Sequence, residues 1–415
     1  MKNNIQIIMN SERDSFLENN YLDSNELKAF NYIAACGSDT FGFNSYRCED
    51  CGRTFIHYNS CGNRNCPSCQ YHAREDWINK FSSFLLDIPY FHIVFTVPDS
   101  LNNIFLSNKK KMYDLLFKAS SQTLLQASLP LYGQIGFSSI LHTWGQNLWF
   151  HPHVHMIVSG GGIFQSNGQN IFKKSPANFL VSVKVLSRLF RGKFIDSMKK
   201  LELVDSDNNI IDFLDESYKS LVDELYSKEW IVYSKEPFGN NQAVLNYIGR
   251  YSHRVAISNS RILNYDENRH TVTFRYKDYK DHSKQKEMTL NACEFLRRFM
   301  LHILPSRFIK IRHYGFMSNS NRKTKIPLCR ILLNQSPPQD DSLVSDQKKQ
   351  DACHCPKCHG KLILTSRFPH RKSFLPLNSS WNLQNWIALL IWGGGHYAHF
   401  NIKWYFINCI YHKNT

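Results

Sequence analysis

The chain has 415 residues, too many for one ordinary domain and enough for two or three. Lysine and arginine number 50 against 34 acidic residues, a formal charge of +16 that calls for an anionic partner, nucleic acid first. A 42% hydrophobic share supports globular cores, and the first ten residues lack the long apolar stretch of a signal peptide. The 14% aromatic content can supply stacking platforms for unpaired bases. Twelve cysteines, several in Cys-x-x-Cys pairs, favour metal in a reducing cytoplasm over a disulfide framework.

Residues 1–88 read as a zinc-binding module. Cys48-Glu-Asp-Cys51 and Cys66-Pro-Ser-Cys69 are two knuckles whose four thiolates can close one tetrahedral site. His57 is a weaker ligand candidate. Arg47, Arg53, Arg64 and Arg74 surround the knuckles, placed either to dock DNA or simply to be solvated. Residues 89–98 alternate as a strand, with Phe91, Ile93, Phe95 and Val97 against His92, Val94 and Thr96. On that strand His92 could reach a metal or be structural. Residues 101–129 are helical by pattern, with Leu115, Leu116, Leu124 and Leu125 as core candidates.

The stretch from Trp144 to Gly162 carries the densest chemistry. Read as a strand, it alternates faces, so His151, His153 and His155 oppose Val154, Met156 and Val158. Three imidazoles on one face form a partial coordination sphere, and the glycines after Ser159 are expected to turn the chain sharply. Residues 179–226 show apolar periodicity through Phe190, Phe194, Ile195 and Met198. Basic residues interleave there, and residues 205–209 form a turn.

Tyr247 and Tyr251, four apart, share one face of a predicted helix, with Val244 and Ile248 in the neighbouring apolar stripe. Gly249 there costs about 1 kcal/mol relative to alanine, which points to close approach of a strand or ligand. Residues 254–257, 261–265, 271–276 and 309–314 read as strands, and 289–304 as a helix. Arg250, Arg254, Lys277, Arg298 and Arg312 are candidate phosphate contacts. Residues 334–352 read as a polar linker. Beyond it, Cys353, Cys355, Cys358 and His359 form a knuckle without a clear partner. Residues 353–415 also carry an aromatic tail, interrupted by glycines, His396, His399 and Lys403 in a way unlike a membrane span. Cys293, Cys329 and Cys409 read as isolated buried thiols.

A His-hydrophobe-His strand followed by a Tyr-x-x-x-Tyr helix resembles the HUH endonucleases, and among them the two-tyrosine rolling-circle insertion-sequence transposases. The resemblance runs through Asn59–Gln70, Pro89–Pro98, the histidine strand, Tyr247–Ile257, Phe274–Tyr279, Glu294–Phe299 and Ile311–Gly315, in the family's order. It implies an α+β fold: an antiparallel sheet core with flanking helices at residues 89–333, preceded by the zinc module. By the same resemblance Cys36 and Cys61 are zinc ligands in a different assignment. It implies nicking and rejoining of single-stranded or hairpin-bearing DNA ends through 5′-phosphotyrosine on Tyr247 and Tyr251. A magnesium or manganese ion would sit on His153 and His155, with His151 as the local third ligand. No Walker motif occurs, consistent with energy conserved in the covalent bond and no need for ATP. The expected setting is the bacterial cytoplasm, at the nucleoid. A replication initiator or relaxase shares this chemistry. A non-catalytic zinc protein that binds DNA, and a water-using metallohydrolase, stand as alternatives from other classes.

Overall fold

In the computed structural model the described residues are 4–235, 238, 241–252, 255–279, 281–336 and 354–369. The description also leaves out the side chains of Tyr71, His72, Ala73, Glu75, Asp76, Ile248, Arg250, Tyr251 and Ser252. Three helices open the chain: α1 (Ile5–Ser11), α2 (Arg13–Asn19) and α3 (Ser24–Ala34). Asp23 starts α3 with a capping box: its carboxylate accepts from the Glu26 amide while Glu26 accepts from the Asp23 amide. The hairpin β1 (Gly42–Cys48) and β2 (Thr54–Tyr58) follows, then α4 (Pro67–Ser82). Pro67 sits in the first turn of α4, where its missing N–H costs nothing.

The central sheet begins with β3 (Tyr90–Thr96). After α5 (Asn102–Ser107) and α6 (Lys109–Tyr132) come β4 (Gln134–Trp144), β5 (Phe150–Ser166) and β6 (Gln169–Lys174). Next are α7 (Val183–Met198), α8 (Glu216–Ser227), β7 (Val232–Lys235) and α9 (Asn241–Ser252). A meander of β8 (Ile262–Asp266), β9 (Thr271–Asp278) and β10 (Lys284–Asn291) leads into α10 (Ala292–Leu301). Then come β11 (Ile311–Gly315), α11 (Arg322–Leu333) and β12 (Leu362–Pro369).

The sheet runs β11-β4-β5-β3-β7, with β6 on β5, and every pairing is antiparallel. This is the expected α+β architecture. One face presents Phe91, Ile93, Phe95, Val154, Met156, Val158, Phe137 and Leu141 to α6 and α7, forming the largest core. The N-terminal helices do not stand apart: Ile8, Phe16 and Phe30 share a second core with Phe274, Phe295 and Phe299 of the meander and α10. A third core, with Phe81, Tyr90, Ile157 and Val244, brings α4 and α9 over the other face of the sheet.

Several local expectations change. Residues 255–257 are not a strand, while β4, β10 and α11 had no counterpart in the sequence reading. The glycines after Ser159 do not turn the chain, because β5 continues to Ser166. They let backbone approach backbone: a Cβ at Gly161 would lie 2.5 Å from the Lys173 carbonyl oxygen, and one at Gly162 as near that of Gln134. Gly249 makes room for a helix rather than a strand or ligand, since a Cβ there would collide with Ile78 of α4. Most of the predicted linker, Cys353, and the whole aromatic tail with Cys409 lie outside the described residues.

Burial of neutral imidazoles gives the fold a pH signature. His302 donates through Nε2 to the Leu148 carbonyl and accepts at Nδ1 from the Thr143 hydroxyl, and burial pushes it down to about 4. Burial pushes His313 to about 4 as well. The unfolded chain protonates such groups near 6.5, so between these values it binds more protons than the folded chain. Stability should be full above about pH 6.5 and fall as pH drops toward about 4. Thermal melting across that window checks this; a flat melting temperature would contradict neutral burial.

Candidate active site

Antiparallel register assembles the histidines. His153 of β5 lies opposite His142 of β4, and His155 lies opposite Val94 of β3, two residues from His92. Directly opposed residues point to the same face, so His92, His142, His153 and His155 share the face away from the largest core. Donor nitrogens of His142, His153 and His155 all lie within 4.8 Å of one another. The Nε2 atoms of His153 and His155 are 3.1 Å apart. Two ligands at right angles on an ion at ~2.1 Å would be separated by roughly 3 Å, so the pair suits adjacent coordination positions. Nδ1 of His153 lies 2.6 Å from the His151 carbonyl, which can only accept. The proton therefore sits on Nδ1 and leaves Nε2 as the lone-pair donor.

His151 is not part of this cluster. Its nitrogens are not among the grouped donors, although its ring centroid lies 5.1 Å from that of His153, and its carbonyl holds the His153 ring. His142 takes the third place, packed against Trp144 with ring centroids 4.7 Å apart. The sequence reading missed it because β4 is buried on both faces and shows no alternation of apolar and polar residues.

Helix α9 brings Tyr247 to the same face. Its hydroxyl lies 2.8 Å from Nε2 and 3.0 Å from Nδ1 of His92. His92 Nε2 is in turn 2.9 Å from His155 Nδ1. Burial, assisted by the Lys235 charge, pushes His92 down to about 3, so at neutral pH it is an uncharged imidazole. Tyr247 is thus two hydrogen bonds from a member of the histidine cluster. Tyr251 lies one turn further along α9; its side chain and that of Arg250 are outside the description, as is Arg254 altogether.

The cysteines group differently from the expected Cys48, Cys51, Cys66, Cys69 set. Cys36, Cys61, Cys66 and Cys69 form one cluster, and Cys48, Cys51, Cys355 and Cys358 another. The hairpin explains this: β2 carries the chain away from the first knuckle before the Cys61–Cys69 loop closes on the end of α3. In the first cluster Sγ of Cys69 lies 3.6 Å from that of Cys36 and 3.4 Å from that of Cys61, a spacing that suits a structural zinc. Mutual hydrogen bonding splits these thiols: Cys36 is lowered to about 7 chiefly by Cys61, while Cys61 is raised. His57 and His359 are exposed and belong to neither cluster.

A cleft of about 340 Å³ is lined by Arg64, Gln70, Trp77, Trp144 and Lys310 among others. Trp144 links it to the histidine face through its stack on His142. The loop between Cys61 and Cys66 delivers Arg64, whose Nη1 donates to the Phe308 carbonyl at 2.6 Å while its buried Nη2 has no hydrogen-bond partner. Two arginines proposed as phosphate contacts are engaged internally instead. Arg298 is buried, pairs with Glu294 at 2.7 Å and lies 4.1 Å over the Trp149 ring. Arg312 pairs with Asp114 and lies 4.2 Å over Phe117, opposite Ser139 and so on the far side of the sheet from the histidines. Lys277 lies over the exposed Tyr279 ring.

A family model described as "Putative transposase" matches residues 136–325, and one described as "Transposase zinc-binding domain" matches residues 8–97. The chain is 37% identical over 364 residues to "Putative transposase y4qJ" of Sinorhizobium fredii, covering 83% of this chain and 89% of that one. It is 30% identical over 308 residues to the "Transposase for insertion sequence element IS801" of Pseudomonas savastanoi pv. phaseolicola, 73% of each. The chain belongs to the IS91/IS801 family of insertion-sequence transposases. No solved structure matches it. As a transposase it is an enzyme that acts on DNA, and its first cysteine cluster lies inside the matched zinc-binding segment. Among the described residues no helix of the transposase is long and apolar enough to cross a membrane.

The geometry separates His142 from His151. His142→Ala should weaken manganese binding at least ~10-fold in titration calorimetry, as should His153→Ala, whereas His151→Ala should leave it within about twofold. Loss of binding in His151→Ala with His142→Ala unaffected would reverse the assignment.

Proposed function

We propose that the transposase nicks and rejoins single-stranded DNA at the ends of its insertion sequence, with Tyr247 as a nucleophile, through a 5′-phosphotyrosine intermediate. The carrying observation is the contact chain from the Tyr247 hydroxyl through His92 to His155, beside the three-histidine cluster. A phenol has an ordinary pKa near ~10 and attacks poorly while neutral. When bound, magnesium or manganese supplies Lewis-acid stabilisation for charge growing on the phosphate oxygens.

The chain's own residues do the rest. His142, His153 and His155 offer ring nitrogens for the ion, with His153 locked by the His151 carbonyl. His92, uncharged and buried, holds the Tyr247 oxygen close to that cluster. The tyrosine oxygen bonds to phosphorus as the bond to the 3′ oxygen breaks; the phenol gives up its proton and the leaving oxygen takes one up. A free 3′-hydroxyl can later reverse the step, so rejoining needs no ATP. A second tyrosine on the same helix, Tyr251, fits a scheme with two covalent strand intermediates, as rolling-circle transfer requires.

The substrate reading rests on the cleft. Trp77 and Trp144 line it, and Arg64 and Lys310 supply positive charge for phosphates beside them. The zinc-held loop that carries Arg64 thereby contributes to docking a single-stranded or hairpin-bearing end. The same reading puts the enzyme in the bacterial cytoplasm, at the nucleoid.

The test is covalent trapping. Labelled single strands covering the element ends are incubated with protein and manganese and run on a denaturing gel. A labelled band at protein mass should require metal, fall at least ~100-fold in Tyr247→Phe or shift wholly to Tyr251 dependence, and vanish in the double variant. Cleavage without any adduct would identify water as the nucleophile and sink the proposal.

A further inference from the structure

Cys355 and Cys358 lie outside both matched segments, yet their thiols meet those of Cys48 and Cys51. The Sγ atoms of Cys48 and Cys358 are 3.5 Å apart across 310 positions of sequence, and those of Cys51 and Cys355 are 3.7 Å apart across 304. Sulfurs around a tetrahedral zinc at ~2.3 Å are separated by ~3.8 Å, whereas a disulfide needs ~2 Å. We propose that Cys48, Cys51, Cys355 and Cys358 form a second structural zinc site, which staples the C-terminal strand β12 to the N-terminal hairpin. This is independent of the nuclease reading.

The two knuckles are built alike, although more than three hundred positions separate them. The Cys48 amide donates to the Arg53 carbonyl at 2.9 Å, and the Cys355 amide to the Gly360 carbonyl at 2.8 Å. The Gly52 amide donates to the Cys48 carbonyl at 3.1 Å, and the His359 amide to the Cys355 carbonyl at 2.8 Å. Gly52 and His359, at the same place in each turn, both have left-handed backbone, with φ of 68° and 60°. The Lys357 amide also points at Cys355 Sγ, 3.4 Å away, the kind of donor that favours a thiolate. Each knuckle thus brings two sulfurs to one side of a tight turn, and the two turns face each other. The Glu49 amide donates to the Lys361 carbonyl at 3.0 Å across the join.

The strand beyond the site needs such a clamp. β12 pairs with β1 from Cys48↔Leu362 to Gly42↔Pro369, but its side chains are mostly exposed and it joins none of the three cores. A three-stranded sheet with so little apolar cover is marginal by itself. A metal that binds only the folded arrangement ties both knuckles together and so holds β12 in register. The third strand also adds Phe368, stacked 4.4 Å from Phe43, to an aromatic row that continues to Tyr58.

The experiment uses the full chain purified with zinc and analysed by native mass spectrometry. Two zinc ions per chain are expected, falling to one in Cys355→Ser/Cys358→Ser. Hydrogen exchange should accelerate more than ~10-fold in β1 and β12 of that variant while the β8–β10 meander is unchanged. Cys358→His, which keeps a ligand, should retain the second ion. One zinc in the wild-type chain, two in the double variant, or a mass showing these four cysteines paired as disulfides would overturn the proposal.

Discussion

Everything at the site depends on the two-residue alternation of an antiparallel sheet. β3, β4 and β5 send Phe91, Phe95, Val154, Met156 and Leu141 into the largest core, so His92, His142, His153 and His155 must point the other way. A slip of one residue in register would bury imidazoles among phenylalanines and expose the core residues instead. Packing energy on one face therefore fixes the chemistry on the other. The covering helices complete the arrangement. α4 and α9 close over the histidine face, and Gly249 lets α9 come near enough to α4 for Tyr247 to reach His92.

The same logic explains what the sequence reveals. The alternation of β3 and of the histidine strand is legible because the apolar and polar faces differ along a single segment. Tyr247 on a helix is legible for the same reason. The third member of the cluster is not. His142 sits in a strand whose two faces are both buried, so the run Ile140-Leu-His-Thr-Trp144 offers no period to read. His151 keeps the alternation of its neighbours yet contributes no nitrogen to the cluster; its carbonyl holds His153 instead. The partnership of cysteines was equally hidden: proximity in sequence favours pairing Cys51 with Cys66, and only the path of the β1–β2 hairpin sends each to a different cluster.

Charge follows the same pattern of internal use before external use. Arg298 and Arg312 satisfy Glu294 and Asp114 and stack on rings, and so brace the scaffold. Arg64 differs, because its guanidinium is half held by the Phe308 carbonyl and half without a partner beside a cleft edged by two tryptophans. In the proposed function, the cysteine-held loop that delivers this cation to the cleft gives the N-terminal region a part in substrate handling. Its helices share a core with the meander and α10, so this loop is fixed relative to the rest of the enzyme.

The central claim is that Tyr247, held by His92 at the edge of the histidine cluster, forms the bond to DNA. Mass spectrometry of the trapped adduct tests it most directly, because trypsin cuts after Arg250 and separates the two candidate tyrosines onto different peptides. The account predicts a nucleotide joined through its 5′-phosphate to the peptide ending at Arg250, on Tyr247. A nucleotide found only on the peptide that begins at Tyr251, or only on a residue outside α9, would contradict it.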